Sequence, residues 1–337
     1  MKKIALILCT SLLVISCSSS QNNKSSKNVE GVTEFAKTIT ADELKTMLFT
    51  YASNEFEGRK TGEPGQKKAV EFIKTQYIKM GVPSPLGKDD YFQEIPASYF
   101  NKSNIKDSEN VLAYIKGSEK LDEIIVISSH LDHIGISGNG DINNGADDDG
   151  SGTVAMIEIA EAFKEAKNKG NGPKRSILFL HVTGEEIGLF GSRYYADVDP
   201  VFPLKNTIAN LNIDMIGRID PKHEGKDNYL YLIGSDKLSK ELHNVSEAVN
   251  KQYFNMEFDY TYNDDNDPNR FYYRSDHYNF AKNNIPVIFY FNGTHDDYHR
   301  PSDTPDKINY AFLETRARLI FHTAWELANR DERVKLD

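Results

Sequence analysis

Cysteine is almost absent from this sequence, and the body of the chain has none. The 337 residues include two cysteines, Cys9 and Cys17, and both come before residue 18. Their position excludes a disulfide framework and a thiolate-ligated metal site in the rest of the chain. A metal site in that part of the chain must therefore use histidines and carboxylates.

A surplus of positive charge is also absent. The chain has 50 acidic and 40 basic residues, which gives a formal net charge of −10. Since a nucleic-acid-binding protein needs a basic face, this charge argues against nucleic acid as a partner. Hydrophobic residues make up 39% of the chain and aromatic residues 11%, which is enough for a buried core and excludes wholesale disorder.

An apolar run near the N-terminus, residues 4–15, is too short for a permanent membrane-spanning helix and fits a secretory signal. It follows the basic Met1-Lys2-Lys3 and ends in Val14-Ile15-Ser16-Cys17, which resembles a bacterial lipobox. The resemblance implies cleavage before Cys17 and lipidation of that residue. An ordinary signal peptide with an incidental cysteine is the alternative.

These features divide the chain into three predicted segments. Residues 1–16 are the lipoprotein signal peptide, and residues 17–30 form a flexible tether because they are polar and rich in Ser, Asn and Lys. Residues 31–337 form one domain. On this interpretation the protein is an exported bacterial lipoprotein that faces the periplasm from the outer membrane and touches the membrane only through its lipid anchor.

Helical patterns alternate with short apolar runs beyond residue 30, which predicts an α/β sheet protein. The predicted helices cover residues 70–80, 151–166 and 310–329. The predicted strands cover residues 111–115, 124–127, 177–182, 208–213, 229–233 and 286–291. A segment rich in Tyr, Asp and Asn, residues 259–274, is predicted to be a long loop beside the functional site.

Four of the predicted strands are followed by potential metal ligands. In chain order these are His130, Glu185 with Glu186, Asp214, and His299. Because sites form beyond the carboxyl ends of the strands in open α/β sheets, we expect these side chains to meet in one crevice. Histidine and carboxylate ligands without sulfur suit zinc, cobalt or manganese.

A fifth cluster, Asp147-Asp148-Asp149, lies between glycines just before a predicted helix. Three consecutive acids are costly to bring together without a cation. Two neighbouring metal ions need a bridging carboxylate, and this run is its natural source, although spacing alone leaves open which of the three acids it is. Adjacent Glu185 and Glu186 point in different directions, so one can bind metal while the other transfers protons.

Six short motifs occur in the order of a known family. They are His130-Leu131-Asp132, Gly145-Ala146-Asp147-Asp148-Asp149-Gly150-Ser151-Gly152, Glu185-Glu186-Ile187-Gly188-Leu189, Asn212-Ile213-Asp214-Met215, Ser275-Asp276-His277 and Tyr298-His299-Arg300-Pro301-Ser302-Asp303-Thr304. Together with residues 57–65, this set resembles the M28 family of metallopeptidases, the dizinc aminopeptidase group, over about residues 50–330. The resemblance implies a three-layer α/β/α domain around a mixed, mostly parallel sheet, as in zinc exopeptidases.

The resemblance also implies roles for individual residues. His130 and Asp214 would bind one of two zinc ions, and Glu186 and His299 would bind the other. Asp148 would bridge both ions. Cobalt or manganese could replace zinc.

Three further residues receive catalytic roles from the same resemblance. Glu185 would be the general base and acid, and Asp132 would orient His130 through a hydrogen bond. The hydroxyl of Tyr298 would help to stabilise the oxyanion. Asp303 is interpreted as a buried acceptor that fixes the loop of His299.

The implied function is that of a metallopeptidase, most directly an aminopeptidase acting on peptides. Glutaminyl cyclases share this fold and much of the ligand set, but the resemblance places a tryptophan where this chain has Tyr298. Carboxypeptidase or amidohydrolase activity on the same fold also stays open. The intact ligand set argues against a binding protein built on an inactive scaffold.

The other histidines and acids receive structural interpretations. Five histidines are interpreted as core or surface residues: His133, His181, His223, His243 and His322. His295 lies near the predicted site without a role from the resemblance, and Asp276 and His277 are interpreted as supporting the fold. The acidic run 264–267 could hold calcium, although a solvated loop is the preferred interpretation.

Overall fold

The computed structural model describes residues 31–226 and 228–337. The predicted signal peptide, tether and lipidated Cys17 lie outside these residues. A helical stretch at residues 31–36 comes first. The helices that follow are α1 (Ala41–Tyr51), α2 (Pro64–Met80), α3 (Ala97–Phe100), α4 (Gly152–Asn168), α5 (Phe190–Asp197), α6 (Lys240–Tyr253), α7 (His277–Ala281) and α8 (Tyr310–Asn329).

The strands are β1 (Phe92–Ile95), β2 (Ser108–Ile115), β3 (Lys120–His130), β4 (Gly135–Ile136), β5 (Ile142–Asn143), β6 (Arg175–Val182), β7 (Thr207–Ile213), β8 (Tyr229–Ile233), β9 (Glu257–Asp259) and β10 (Val287–Phe291). Eight of them form one sheet in the order β1-β2-β6-β3-β7-β10-β8-β9. The four central strands, β6, β3, β7 and β10, are parallel to one another. Antiparallel pairings join β2 to β6 and β8 to β10. The prediction of an α/β fold with a mixed, mostly parallel sheet is therefore confirmed.

The sheet is covered on both faces, because successive residues of a strand point to opposite sides. In β3, Ile125 and Ile127 face the core that α1, α2, α4 and α8 cover. Ile124 and Val126 face a second core, which includes residues of α5 and α7. This arrangement makes the three layers that the sequence resemblance implied.

Local sequence signals set the ends of several helices. The side chain of Thr40 accepts the Glu43 amide at the start of α1, and Asn309 accepts the Phe312 amide at the start of α8. Helix α2 begins with Pro64 and ends at Gly81, whose positive φ of 68° suits a residue without a Cβ.

All six predicted strands occur, and the three predicted helices correspond to α2, α4 and α8. Helices α1 and α6 and the edge strands β1 and β9 were not predicted. Among the described residues, none of the helices combines the length and the hydrophobicity that a membrane-spanning helix needs.

Candidate metal centre

The carboxyl ends of the four central parallel strands meet at one edge of the sheet. Strand β3 ends at His130, and Asp214 directly follows β7. Glu185 and Glu186 lie in the loop after β6, and His299 lies in the loop after β10. The side chains predicted as ligands therefore follow the ends of all four strands, at the same edge of the sheet.

One group of ligand atoms forms around His130, which is buried. Its Nε2 lies 3.1 Å from Oδ1 of Asp148 and 3.6 Å from Oδ1 of Asp214. Its Nδ1 faces away from this group, 3.1 Å from the backbone carbonyl of Asp132. The ring is therefore oriented by the backbone, with Nε2 presented to the two carboxylates.

A second group of ligand atoms forms on the other side of Asp148. Nε2 of His299 lies 3.0 Å from Oδ2 of Asp148 and 3.1 Å from Oε2 of Glu186. Nδ1 of His133 lies 2.7 Å from Oε1 of Glu186 and 3.8 Å from Oδ2 of Asp148. The structure thus brings His133, interpreted from the sequence as a core or surface residue, into direct contact with the site.

Asp148 is the member of the Asp147–Asp149 run that contacts both groups, with one carboxylate oxygen for each. The carboxylate of Asp147 accepts the Gly217 amide, and that of Asp149 accepts the amides of Met215 and His130. The two flanking acids are thus committed to backbone amides, which leaves Asp148 as the carboxylate that spans the site.

The residues present fit a bound cation. Nδ1 of His133, Oδ2 of Asp148 and Oε1 of Glu186 are buried, and none has a hydrogen-bond partner. The three atoms lie within 4.8 Å of one another, and so do the ligand atoms of the His130, Asp148 and Asp214 group. Because unpaired buried polar atoms are costly, a cation shared by them would stabilise the arrangement. Imidazole and carboxylate donors are ligands that zinc accepts.

The pKa shifts of residues in the site also indicate that it favours a cation. Although burial opposes its protonation, Asp148 and Glu186 raise the pKa of His299 to about 10. Burial raises the pKa of Glu185 well above its usual range, and the carboxylates of Glu186 and Asp214 contribute to the shift. The pocket therefore favours positive charge, which either a proton or a metal ion can supply.

Comparisons with known proteins identify the family. The model of peptidase family M28 matches residues 110–324, which include both ligand groups. The chain belongs to peptidase family M28. Its fold is similar to that of the LapA aminopeptidase of Legionella pneumophila, with a TM-score of 0.68 at 21% identity, over 95% of this chain and 79% of that one.

Two curated M28 relatives show how far the sequence similarity extends. Aminopeptidase YwaD of Bacillus subtilis (strain 168) is 30% identical over 149 residues, or 39% of this chain and 30% of that protein. A probable glutamate carboxypeptidase of Arabidopsis thaliana is 30% identical over 117 residues, or 35% of this chain and 16% of that protein. The chain spans less than half the length of the curated relatives it matches.

Asp132 has a different partner from the one that the M28 resemblance implied. Its carboxylate oxygen Oδ1 lies 3.8 Å from Nδ1 of His130, which is too far for a hydrogen bond. Instead, Oδ1 accepts the backbone amide of Glu185 at 3.2 Å, and Oδ2 accepts the hydroxyl of Thr61 at 2.6 Å. Burial raises the pKa of Asp132 to about 6. The side chain of Asp132 therefore positions the loop of Glu185, while its carbonyl orients His130.

Arg59 lies before the segment that the M28 model matches, and it connects two ligand-bearing loops. Its buried guanidinium donates to the carbonyls of Leu131, Asn144 and Gly145, at 3.2, 2.6 and 2.8 Å. The ring of Tyr51 lies beneath it, 4.6 Å away. No role for Arg59 was predicted from the sequence, although it falls in the upstream motif at residues 57–65.

Ser275 supports Asp214 through a chain of hydrogen bonds. Its hydroxyl donates to Oδ2 of Asp214 at 2.6 Å and accepts from the side-chain amide of Asn212 at 2.8 Å. Ser128 in turn donates to Asn212 at 2.7 Å. In the motif Ser275-Asp276-His277, the serine is thus the residue that contacts a candidate ligand.

Asp276 and His277 belong to neither ligand group, in line with their interpretation as supporting residues. The hydroxyl of Ser192 donates to Asp276, whose pKa burial raises to about 7. The ring of His277 stacks on Phe289 at 4.8 Å. Burial lowers the pKa of His277 to about 3, so this imidazole is neutral at physiological pH.

Asp303 is buried, as predicted, and it accepts the backbone amides of Asp147 and Asp148. It therefore fixes the acidic run as well as its own loop. Nε2 of His295 lies 3.2 Å from Asp147. His295 thus contacts an acid beside the bridging position and no predicted ligand.

A pocket opens beside Asp148, Glu185 and Asp214. Its other lining residues are mostly apolar or aromatic: Met215, Phe271, Phe289, Phe291, Thr294 and Tyr298, with Arg274. Phe271 and Arg274 belong to the segment 259–274, which therefore lies beside the site as predicted. The ring of Tyr298 stacks on that of His299 at 3.9 Å.

The acidic run 264–267 does not converge on a single point. Asp264 accepts the Asn266 amide, and Asp267 accepts the amides of Asn269 and Phe271. These carboxylates cap turns of their own loop, which agrees with the preferred interpretation.

Proposed function

We propose that the protein is a zinc-dependent exopeptidase, and specifically an aminopeptidase. One observation carries the proposal: the two oxygens of Asp148 face two separate ligand groups, and the half-buried Glu185 lines the same pocket. A carboxylate shared in this way suits two ions a few ångströms apart. Membership of peptidase family M28 supports hydrolysis of a peptide bond as the reaction.

The candidate ligands form two groups, one for each ion. One ion would be held by His130, Asp148 and Asp214, and the other by Asp148, Glu186 and His299. Bound zinc would supply a more acidic water, with a pKa of roughly 7 instead of about 15.7.

Glu185 would accept a proton from the attacking water and return it to the leaving amine. The carboxylate of Asp132 holds the backbone of Glu185 in place, and the Tyr298 hydroxyl lies on the pocket wall, where it can donate to the developing oxyanion.

The lining of the pocket suggests which substrates it accepts. Phe271, Phe289 and Phe291 form an aromatic wall beside the ligands. An apolar side chain gains free energy by leaving water for such a surface. We therefore expect peptides with an apolar N-terminal residue to be cleaved faster than peptides that begin with lysine, whose charge would also face Arg274.

A substrate panel tests the proposal and its alternatives. The zinc-loaded protein is incubated with aminoacyl reporters, with carboxy-terminal reporters and with a peptide that begins with glutamine. Release of N-terminal amino acids supports the proposal, and cleavage confined to carboxy-terminal reporters contradicts it in favour of a carboxypeptidase. Formation of pyroglutamate without a free amino acid would identify a cyclase.

We propose in addition that the protein is a lipoprotein anchored through Cys17. The support is the sequence Val14-Ile15-Ser16-Cys17 after an apolar run, followed by a polar segment up to residue 30. Mass spectrometry of the protein from a bacterial host should find an acylated N-terminus at Cys17. A Cys17→Ser variant should then leave the membrane fraction, whereas an unmodified N-terminus would contradict the proposal.

A further inference from the structure

His133 is a buried histidine whose ring nitrogens have no hydrogen-bond partner. Only 1% of the residue is exposed, and neither Nδ1 nor Nε2 is paired. The buried His181, by contrast, has its Nε2 2.8 Å from the hydroxyl of Tyr77. Because an unpaired buried polar group is destabilising, a bound partner other than these protein atoms would stabilise His133.

The contact between His133 and Glu186 is close, but it is not a hydrogen bond. Nδ1 of His133 and Oε1 of Glu186 are 2.7 Å apart, yet neither atom meets the geometric criteria for a hydrogen bond. Two ligands of one tetrahedral zinc ion lie about 3.3 Å apart, given bonds of about 2.0–2.1 Å. The distances of 2.7 and 3.8 Å from Nδ1 to Glu186 and Asp148 lie on either side of that value.

The ring of His133 is held in this position by its surroundings. Its backbone amide donates to the carbonyl of Arg59 at 3.2 Å. A Cβ on Gly145 would lie 2.5 Å from Cγ of His133, so the ring occupies space that exists because residue 145 is glycine. The edge of the His299 ring lies on another side, with 5.7 Å between the centroids. The imidazole is therefore preorganised toward the ligand group.

We propose that His133 is a metal ligand, through Nδ1, in the half of the centre formed by Asp148, Glu186 and His299. The inference rests on the proposed two-metal site and adds a residue to it. That half then has four protein side chains, whereas the half formed by His130, Asp148 and Asp214 has three. Because a site with four protein ligands is closed and one with three keeps a position open, the two halves differ in affinity and in access to water.

The first experiment uses the wild-type protein and needs no substrate. The protein is labelled with ¹⁵N in histidine, loaded with zinc and studied by long-range ¹H–¹⁵N NMR, which distinguishes metal-bound Nδ1 from metal-bound Nε2. We expect His130 and His299 to bind through Nε2 and one further histidine, His133, to bind through Nδ1. A spectrum without an Nδ1-bound imidazole would overturn the proposal.

The second experiment measures metal affinity in variants. Metal-free wild-type, His133→Ala and His133→Asn proteins are titrated with cobalt(II), with bound metal followed by visible absorption and by elemental analysis. His133→Ala should bind one equivalent at least tenfold more weakly, with an altered spectrum of that equivalent. Because the amide of asparagine reaches the position of Nδ1, His133→Asn should recover part of the affinity.

His181→Ala is the matched control, since it removes another buried imidazole without touching a ligand group. It should lose stability but keep both equivalents of cobalt. A weaker equivalent with an unchanged spectrum in His133→Ala would make His133 a positioning residue and would overturn its assignment as a ligand. Neither readout depends on turnover, so a protein that binds metal in this way but releases no amino acid would contradict only the proposed function.

Discussion

At the scale of single residues, three adjacent aspartates have different partners. Asp147 and Asp149 accept backbone amides, and Asp148 faces the two ligand groups. Adjacent aspartates therefore have different partners, because the backbone directs their side chains to different places. The same holds for Glu185 and Glu186, of which only Glu186 lies within contact of the histidines.

The Glu185→Gln variant should keep its metal and lose turnover. Glutamine has nearly the same shape but cannot accept a proton, so the rate should fall by about 10²- to 10⁴-fold. Metal content and hydrolysis of an aminoacyl reporter are measured together, with the exposed Glu257→Gln as the control. An active Glu185→Gln enzyme would refute the role of this residue.

The Ser275→Ala variant should weaken metal binding without removing a ligand. Asp214 loses the hydroxyl that donates to Oδ2, so metal affinity should fall by about 10- to 100-fold. Competition with a chelator measures this loss. Ser246→Ala, at an equally buried serine of α6, should leave the affinity unchanged. Equal effects of both variants would mean that Ser275 acts only through general stability.

At the scale of secondary structure elements, Arg59 joins the end of β3 to the loop that precedes Asp148. Three of its carbonyl acceptors lie 72 to 86 residues away in sequence. A short segment before α2 thereby fixes the two loops that carry His130 and Asp148. A site assembled from strand ends needs such a connection, because loops alone would not hold ligands to a fraction of an ångström.

The Arg59→Met variant should lose both stability and metal affinity. Methionine leaves buried carbonyls unpaired, which should lower the free energy of unfolding by about 3 kcal/mol or more. Arg175→Met is a fitting control, because Arg175 is also buried and donates to the carbonyls of Leu327 and Arg330, far along the chain from the ligands. Thermal unfolding with and without zinc should show that zinc stabilises Arg175→Met much more than Arg59→Met. An equal stabilisation of both variants by zinc would contradict the role of Arg59 in holding the ligand loops.

At the scale of the whole molecule, the fold buries carboxylates away from the site as well as within it. Glu158 of α4 is 2% exposed, and one of its carboxylate oxygens has no hydrogen-bond partner. Burial, together with Glu43 and Glu161, raises its pKa to about 8. This group should therefore make the stability of the protein depend on pH.

The sign follows from proton binding. Between the unfolded pKa of about 4.5 and the folded value, the folded state holds one more proton, so the free energy of unfolding falls as pH rises through this range. Glutamine has no carboxyl group to deprotonate, so Glu158→Gln should not show this fall in the free energy of unfolding. The variant should be more stable than the wild type at pH 8 by up to about 4 kcal/mol, with little effect near pH 4.5. Urea unfolding at the two pH values measures the difference. An equal effect at both, or the same gain in the exposed Glu332→Gln, would contradict the assignment.

Much of the fold could be predicted from the sequence, because periodicity and apolar runs are local signals. Every predicted strand occurs, including β3 and β7, which carry His130 and precede Asp214. Helix α6 was missed, and so was α1, although Thr40 caps it. Edge strands β1 and β9 are short and only partly buried, so they carry little pattern to detect.

The sequence by itself determined which residue types stand at the ends of the central strands, because those strands are local apolar runs and parallel strands end at one edge. It also determined that any metal there must bind to histidine and carboxylate. Only the tertiary structure decided which atoms meet: Asp148 rather than its neighbours, the Asp132 carbonyl rather than its carboxylate beside His130, and His133 beside Glu186. These contacts join residues far apart in sequence or depend on backbone direction, and a local sequence pattern predicts neither of these.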